Sequence, residues 1–313
     1  MNPSPADEHT TESPRTSVLI ASYNSAPALR RCLAALESSP DRPHFEILVV
    51  DSGSTDDTPT LELQFPAVTF LRLPRHFGFT RARNVGLRTA TGDFILFLDP
   101  NVELAPGAVS CLAGHLNRDP DTAAVCPLLE TPDGRPANRI GPLPAPDALL
   151  RACLQPSTLA THSPDPAALE QPVEWTTLDA LLLRARHLKG MNYLDKRYAH
   201  FWADAEICRQ IRRAGRRLLL LPSCRAVLHP DAAPPPQPAT RALLEATCLL
   251  DACVYAGKHF GWTSRARLRL AAIASTFAGA ASALLRARDL SFFLGRFTGV
   301  LTGRRLDGSQ TEL

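Results

Sequence analysis

Several features that mark common protein classes are missing. The longest uncharged stretch near the C-terminus, Leu270–Leu285, has 16 residues, short of the roughly 20 that a membrane-spanning helix needs. No G-x-G-x-x-G follows the first apolar run and no G-x-x-x-x-G-K-[ST] occurs, which disfavours dinucleotide and P-loop sites. None of the 8 cysteines lies in a C-x-x-C pair, and without paired Cys/His spacing the sequence argues against zinc. Only 17 glycines are present, too few for a collagen repeat. The net charge of +3 is too small to imply a nucleic-acid partner, and no nucleic-acid-binding motif is recognisable. The first 15 residues are polar and proline-containing rather than basic then apolar. A cytosolic, reduced protein is therefore expected.

Apolar residues, by contrast, are plentiful at 45% of 313, enough for a sizeable core and against disorder throughout. Proline is in excess, 28 residues against a usual share of about 5%. The prolines cluster. They fall in a tail over 1–15, in 130–172, where there are nine, and in 231–239 (DAAPPPQPA). The first is expected to be flexible, the second an irregular excursion, the third a stiff linker.

Between these segments the pattern alternates. Strand-like runs at Ser17–Ala21, Phe45–Val50, Val68–Leu73, Phe94–Leu98 and Ala123–Leu129 are separated by helical spacing at Leu29–Leu36, Thr55–Phe65, Thr80–Ala90 and through Leu112 and Leu116. After the excursion come Val173–Thr177, Asp179–Arg184, a helix from about Ala203 to Ala214, then Arg217–Leu221 and Arg225–Leu228. Such alternation predicts an α/β fold with a mostly parallel central sheet. From Thr240 the chain reads as helices. Residues 240–313 carry ten Lys/Arg and five Asp/Glu, a net of +5, so the preceding part nets −2.

Ligands of open α/β sheets bind beyond the carboxyl ends of the strands. Three predicted strands run into polar residues there: Ser22-Tyr23-Asn24, Asp51 in VVDSGSTDD, and Asp99 in FLDPN. The segments SVLIASYNS, EILVVDSGSTDDT, HFGFTRARNVGLRTATGDFILFLDPNVEL and FWADAEICRQIRRAGRRLLLLPSCRAVLHP are collinear over roughly 16–230. Together they resemble the family 2 glycosyltransferases, which have the GT-A (nucleotide-diphospho-sugar transferase) fold. HFGWTSR and LDGSQ are similar to the rhamnosyltransferase-type branch.

The resemblance implies a GT-A domain over 16–230, with helices added at the C-terminus. It implies transfer of a sugar, with inversion, from a nucleotide-diphosphate donor to a saccharide acceptor in cell-surface glycan synthesis. Ser22, Tyr23, Asp51, Arg83, Asn84 and Asp99 would bind the nucleotide-sugar, Arg81 lying alongside. An Asp can accept hydrogen bonds from a base or ribose but equally serves as a turn residue. Asp99 and Asn101 occupy the D-x-D position, where Mg2+ or Mn2+ would neutralise the departing diphosphate. Asn101 departs from that pattern by being neutral. His229, in VLHP, is the third expected metal residue. Asp204 sits where the family has Glu-Asp-x-Asp, with Ala203 in place of the Glu and Glu206 as the second acid. It is the candidate base for the acceptor hydroxyl, a helix cap being the alternative. At helical spacing Asp204, Cys208 and Ile211 share one face, which should look toward the sheet.

Leu270–Leu285 fits either a packed helix or an interfacial helix, with Arg265, Arg267 and Arg269 before it and Arg286 and Arg288 after it. The second reading suits a lipid-linked acceptor met at the inner face of the cell membrane, with peripheral contact to its anionic surface. A nucleotidyltransferase and a non-catalytic nucleotide-sugar-binding module are the competing functions.

Overall fold

The computed structural model describes residues 15–154, 161–230, 238–285, 291–303 and 305. Nearly all of the expected tail, most of the expected linker and the middle of the 130–172 excursion lie outside the described residues.

The first half alternates as β1 (Thr16–Ser22), α1 (Ala26–Glu37), β2 (Phe45–Asp51), α2 (Leu61–Gln64), β3 (Thr69–Arg72), α3 (Phe79–Thr89), β4 (Phe94–Leu98), β5 (Val102–Leu104), α4 (Ala108–Arg118) and β6 (Thr122–Glu130). The excursion supplies β7 (Ile140–Gly141), α5 (Pro146–Leu154) and β8 (Gln171–Pro172). Then come β9 (Trp175–Thr176), β10 (Ala180–Arg184), α6 (Ala185–Gly190), α7 (Ala203–Arg213), β11 (Arg217–Leu228), α8 (Pro238–Leu285) and α9 (Ser291–Thr302).

The main sheet has the order β3-β2-β1-β4-β10-β6-β11-β5, and β8 pairs with β11. Strands β3, β2, β1 and β4 are parallel. The register places Ser22 beside Asp51. Past β4 the sheet is mixed, because β10 enters from the excursion and pairs antiparallel to both β4 and β6. A helical crossover would have returned it parallel.

The strands read as continuous apolar runs because both sheet faces are covered. In β2, Ile47 and Val49 join Leu29, Leu33 and Leu112 on one face, whereas Leu48 and Val50 join Ala82, Leu87 and Ile211 on the other. Helices α1 and α4 thus cover one side, and α3 and α7 the other. Helix α3 lies so close to β1 and β2 that a Cβ at Gly86 would come within 2.2 Å of Leu19 Cδ1. Tyr255 and Ala256 of α8 belong to the same core as α7.

Local departures from the expected elements have local causes. The helix expected over Thr55–Phe65 begins only at Leu61. Asp56 is used elsewhere: it accepts from Ala26 N–H at the start of α1 and from Thr58 N–H. The two strands expected at Arg217–Leu221 and Arg225–Leu228 are one strand with a register shift between them. The expectation of reduced thiols is corrected for one pair. Packing of α4 on β11 brings Cys111 and Cys224, 113 positions apart, to a Cα separation of 6.1 Å and a disulfide. Spacing in the sequence carries no trace of that pairing.

Candidate active site

Strand β2 ends in Asp51, whose buried carboxylate accepts Ser54 N–H through Oδ1 at 3.0 Å. Its other oxygen makes no hydrogen bond among the described residues. The turn role and the ligand role are therefore compatible in one side chain. Beside it, Ser22 Oγ pairs with Ser25 Oγ at 2.7 Å. Asn24, in the left-handed region at φ 47, is tied to the facing loop through Ser54 Oγ and Thr55 N–H.

Tyr23 does not stand alone. One face of its ring is taken by His76, 4.2 Å between centroids, and His76 in turn stacks on His200 at 5.0 Å. Phe79 meets both imidazoles edge-on. Burial, with His200 as the next cause, pushes His76 down to about 4, so it is neutral near pH 7.

Strand β4 delivers Asp99 to the same edge. Its Oδ1 accepts Asn101 N–H at 2.9 Å and Asn101 Nδ2 at 3.1 Å, closing the Asp-Pro-Asn turn. Among the described residues Asp99 Oδ2 remains without a hydrogen bond, and Asn101 Oδ1 is buried with no partner. His229 is brought close through its N–H, which donates to Asn101 O at 2.9 Å. Its ring, however, shares Nε2 with Glu103 at 2.8 Å. Of the three residues expected at a metal, Asp99 and Asn101 present oxygens with lone pairs to spare. Among the described residues no group of three or more His, Cys, Asp or Glu forms a ready-made metal cage.

Arg83 on α3 is the positive centre of this edge. Burial lowers its pKa, and Asp99, Asp179 and Asp204 pull it back up, in that order. No ion pair within 4 Å joins it to any of them among the described residues. Arg81 is exposed on the same helix. Asn84, expected to bind the nucleotide-sugar, is buried beside Arg83. Its amide is fully used on the main chain of Leu194, donating through Nδ2 at 2.8 Å and accepting through Oδ1 at 2.9 Å. It braces α3 against the loop that leads to α7.

Asp204 stands at the start of α7 but does not cap it. The N-cap is Trp202, at φ 68, and Asp204 Oδ1 accepts the N–H of Ala205 at 2.7 Å. Cys208 and Ile211 are buried below it as their spacing predicts. Burial raises the Asp204 carboxyl to about 6; Asp179 adds to the rise, and Arg83 and Arg139 oppose it. Glu206, one face away, is structural. It binds Lys258, His259, Tyr198 and Gln210.

Three positions that the structure places beside the expected site escaped the sequence reading. Asp179 lies next to Asp99, whose N–H donates to its carbonyl at 2.8 Å. Its place at the ligand edge follows from β10 being antiparallel, which the sequence could not disclose. His200 carries no spacing signal. Asp251, on α8, is fully buried, and its Oδ2 accepts the N–H groups of Ala199, His200 and Phe201 at 2.9, 3.1 and 3.2 Å. Trp202 Nε1 donates to Cys248 O on the same helix. The C-terminal helix therefore shapes the loop that positions Asp204.

The comparisons with known proteins identify the chain as a nucleotide-sugar-dependent glycosyltransferase of GT-A fold. Residues 17–171 match the model of glycosyl transferase family 2, and this part of the chain is a domain of that family. An N-acetylglucosaminyl-diphospho-decaprenol L-rhamnosyltransferase of Mycobacterium tuberculosis is 27% identical over 274 residues, 80% of this chain and 87% of the relative. Polypeptide N-acetylgalactosaminyltransferase 4 of Mus musculus is 37% identical over 134 residues, 40% of this chain and 23% of that one. The solved structure of GalNAc-T7 with UDP, GalNAc and Mn2+ superposes with a TM-score of 0.62 at 18% identity, covering 91% of this chain and 54% of that chain. The mannosyltransferase PcManGT of Pyrobaculum calidifontis, with GDP-Man and Mn2+, gives 0.55 at 19% identity, covering 94% and 89%.

The raised carboxyl has a kinetic consequence. If Asp204 serves as the base it works only when deprotonated, and kcat/KM is then expected to rise through about pH 6. An unshifted Asp would place that limb near 3.8. Removal of the opposing cation in Arg83→Met is expected to move the limb upward. A pH profile of kcat/KM at saturating metal checks both.

Proposed function

We infer that the enzyme transfers a sugar, with inversion at the anomeric carbon, from a nucleoside-diphosphate donor to a hydroxyl of a lipid-linked saccharide. The reading is carried by one observation: Asp204 is a carboxylate without an ion pair among the described residues, with a raised pKa, set against Arg83 and the Asp99 edge. In the reaction Asp204 takes the proton of the acceptor hydroxyl. That oxygen bonds to the anomeric carbon as the bond to the diphosphate breaks, and Arg83 faces the charge left on the diphosphate. Asp51 and Ser22 hold the nucleoside end.

The lone pairs left on Asp99 and Asn101 suit a hard divalent cation. Such ions commonly take one or two protein oxygens and complete their shell with phosphate and water. Asp99 and Asn101 would hold Mg2+ or Mn2+, and the metal would supply neutralisation of the diphosphate charge. Asn101→Asp adds the missing carboxylate. It is expected to tighten Mn2+ binding about tenfold, read by paramagnetic resonance of Mn2+ titrated in the presence of a nucleoside diphosphate. Equal affinity in both proteins would remove Asn101 from the metal.

The rhamnosyltransferase relative supports testing nucleotide-activated rhamnose first, with an N-acetylglucosaminyl-diphospho-polyprenol as acceptor. Such an acceptor would be met in the cytoplasm at the inner face of the cell membrane, by contact with its anionic surface. Among the described residues no helix is long and apolar enough to cross a membrane. Incubation with a panel of nucleotide-sugars, with and without Mn2+, followed by proton NMR of the product linkage, tests the proposal. Retained anomeric configuration, or no turnover of any donor, would sink it.

A further inference from the structure

The membrane contact just described leaves open which surface makes it. Among the described residues seven large hydrophobic side chains are more than half exposed, and five of them lie on the two C-terminal helices: Trp262, Leu270 and Phe277 on α8, Leu294 and Leu301 on α9. Steps of 8 and 7 residues put the first three in one stripe. The opposite side of α8 is spent on packing, with Leu268, Ala272 and Thr276 buried at four-residue spacing. Helix α9 folds back on it, Phe297 against Phe277 and Arg269 donating to the carbonyls of Val300 and Leu301. An apolar stripe thus remains outside a packed hairpin.

Beyond Asp251 the charge on this hairpin has one sign; Glu245, earlier on α8, lies 3.8 Å from Arg296. No Asp or Glu occurs from Ala252 to Leu285 or from Ser291 to Thr302, while Lys258, Arg265, Arg267, Arg269 and Arg296 do. The cations also gather. Helix α8 breaks at Gly261, at φ 87 and ψ 172. Beside the break is a cavity of about 430 Å³ lined by Arg197, Val254, Gly257, Lys258, Trp262, Arg265 and Arg305, with no carboxylate in its wall. Carboxylates outside that wall fix three of the four cations. Asp195 holds Arg197 and Lys258, and Asp251 holds Arg305. Arg265 has no ion pair among the described residues. Its stem passes so near Gly257 that a Cβ there would meet Arg265 Cδ at 3.0 Å.

We propose that this hairpin is the membrane-docking surface: the Gly261 pocket takes the phosphate of an anionic lipid headgroup, and the Trp262–Leu270–Phe277 stripe enters the acyl boundary. The proposal deepens the lipid-linked-acceptor reading and rests on it. The pieces divide the work that stable attachment needs. Exposed apolar groups supply insertion, and each basic residue adds attraction to anionic lipid. Trp suits the headgroup level, where one edge of its ring can stay wet. Lys258 and Arg305 also touch Glu206 and Asp251, so the pocket is continuous with the brace of the catalytic loop.

The test is flotation of the full chain with vesicles of phosphatidylcholine alone or with 30% phosphatidylglycerol. The wild type is expected to float with the anionic vesicles and not with the neutral ones. Arg265→Glu and Trp262→Ser should each reduce the bound fraction at least tenfold, Arg265→Lys should retain it, and 10 mM inorganic phosphate should not displace it. Equal binding to both vesicle types, undiminished binding of Arg265→Glu, or full displacement by phosphate would overturn the proposal. Donor turnover with a water-soluble acceptor, measured on the same preparations, should be unchanged in Arg265→Glu. Its loss in the wild type would count against the glycosyltransfer reading, separately from the flotation result.

Discussion

Asp204→Asn is expected to lower glycosyl transfer by about 100- to 10,000-fold, the usual contribution of a positioned base, with donor affinity unchanged. The substitution keeps the shape and the hydrogen bond to Ala205 N–H but removes the proton acceptor. The two other acids that act on Arg83 have hydrogen-bond partners of their own. Asp99 is engaged by Asn101, and Asp179 by Thr177 and Arg139. Single-turnover transfer and calorimetric binding of the donor, measured side by side, check it. Full transfer by the variant would leave the enzyme without its base. Lost donor binding would reassign Asp204 to the donor.

Asp251→Ala is expected to cost at least about 2 kcal/mol of stability, since it strands three main-chain N–H groups that are worth about 1–3 kcal/mol each when left unpaired and buried. The larger consequence is for catalysis. Ala199, His200 and Phe201 immediately precede Trp202, whose left-handed conformation starts α7. A carboxylate accepting three consecutive N–H groups holds this turn in one shape. Without it Asp204 is no longer aimed, and kcat should fall at least tenfold while donor affinity stays near the original. Asp251→Asn keeps one acceptor oxygen and should recover part of both losses. Urea unfolding together with the kcat-versus-KM split tests the assignment. A variant destabilised but with normal kcat would make Asp251 a stability residue only.

Much of the donor side was readable in the sequence. The apolar runs at 45–50 and 94–98 could only be strands covered on both faces. A parallel sheet would bring Asp51 and Asp99 to one edge, and β1, pairing Ser22 with Asp51 and Ile20 with Leu98, places both strand ends there. The spacing of Asp204, Cys208 and Ile211 likewise set the inward face of α7, because helical periodicity is a local property.

What remained hidden depends on groups distant in sequence. Asn84 was expected at the donor along with its neighbour Arg83. Only the approach of Leu194, 110 positions away, shows its amide to be spent on the main chain. Asp179 joins the site because β10 runs antiparallel, and strand direction is settled by how the excursion packs. Asp251, the Cys111–Cys224 disulfide and the Gly261 pocket arise where the C-terminal helices or α4 meet other layers. Sequence by itself determined the strands, the amphipathic faces and the acids at their ends, since those follow from period and local chemistry. Tertiary structure alone decided which acid is free to act and which is bound, because a polar side chain's role is set by the partner that reaches it first.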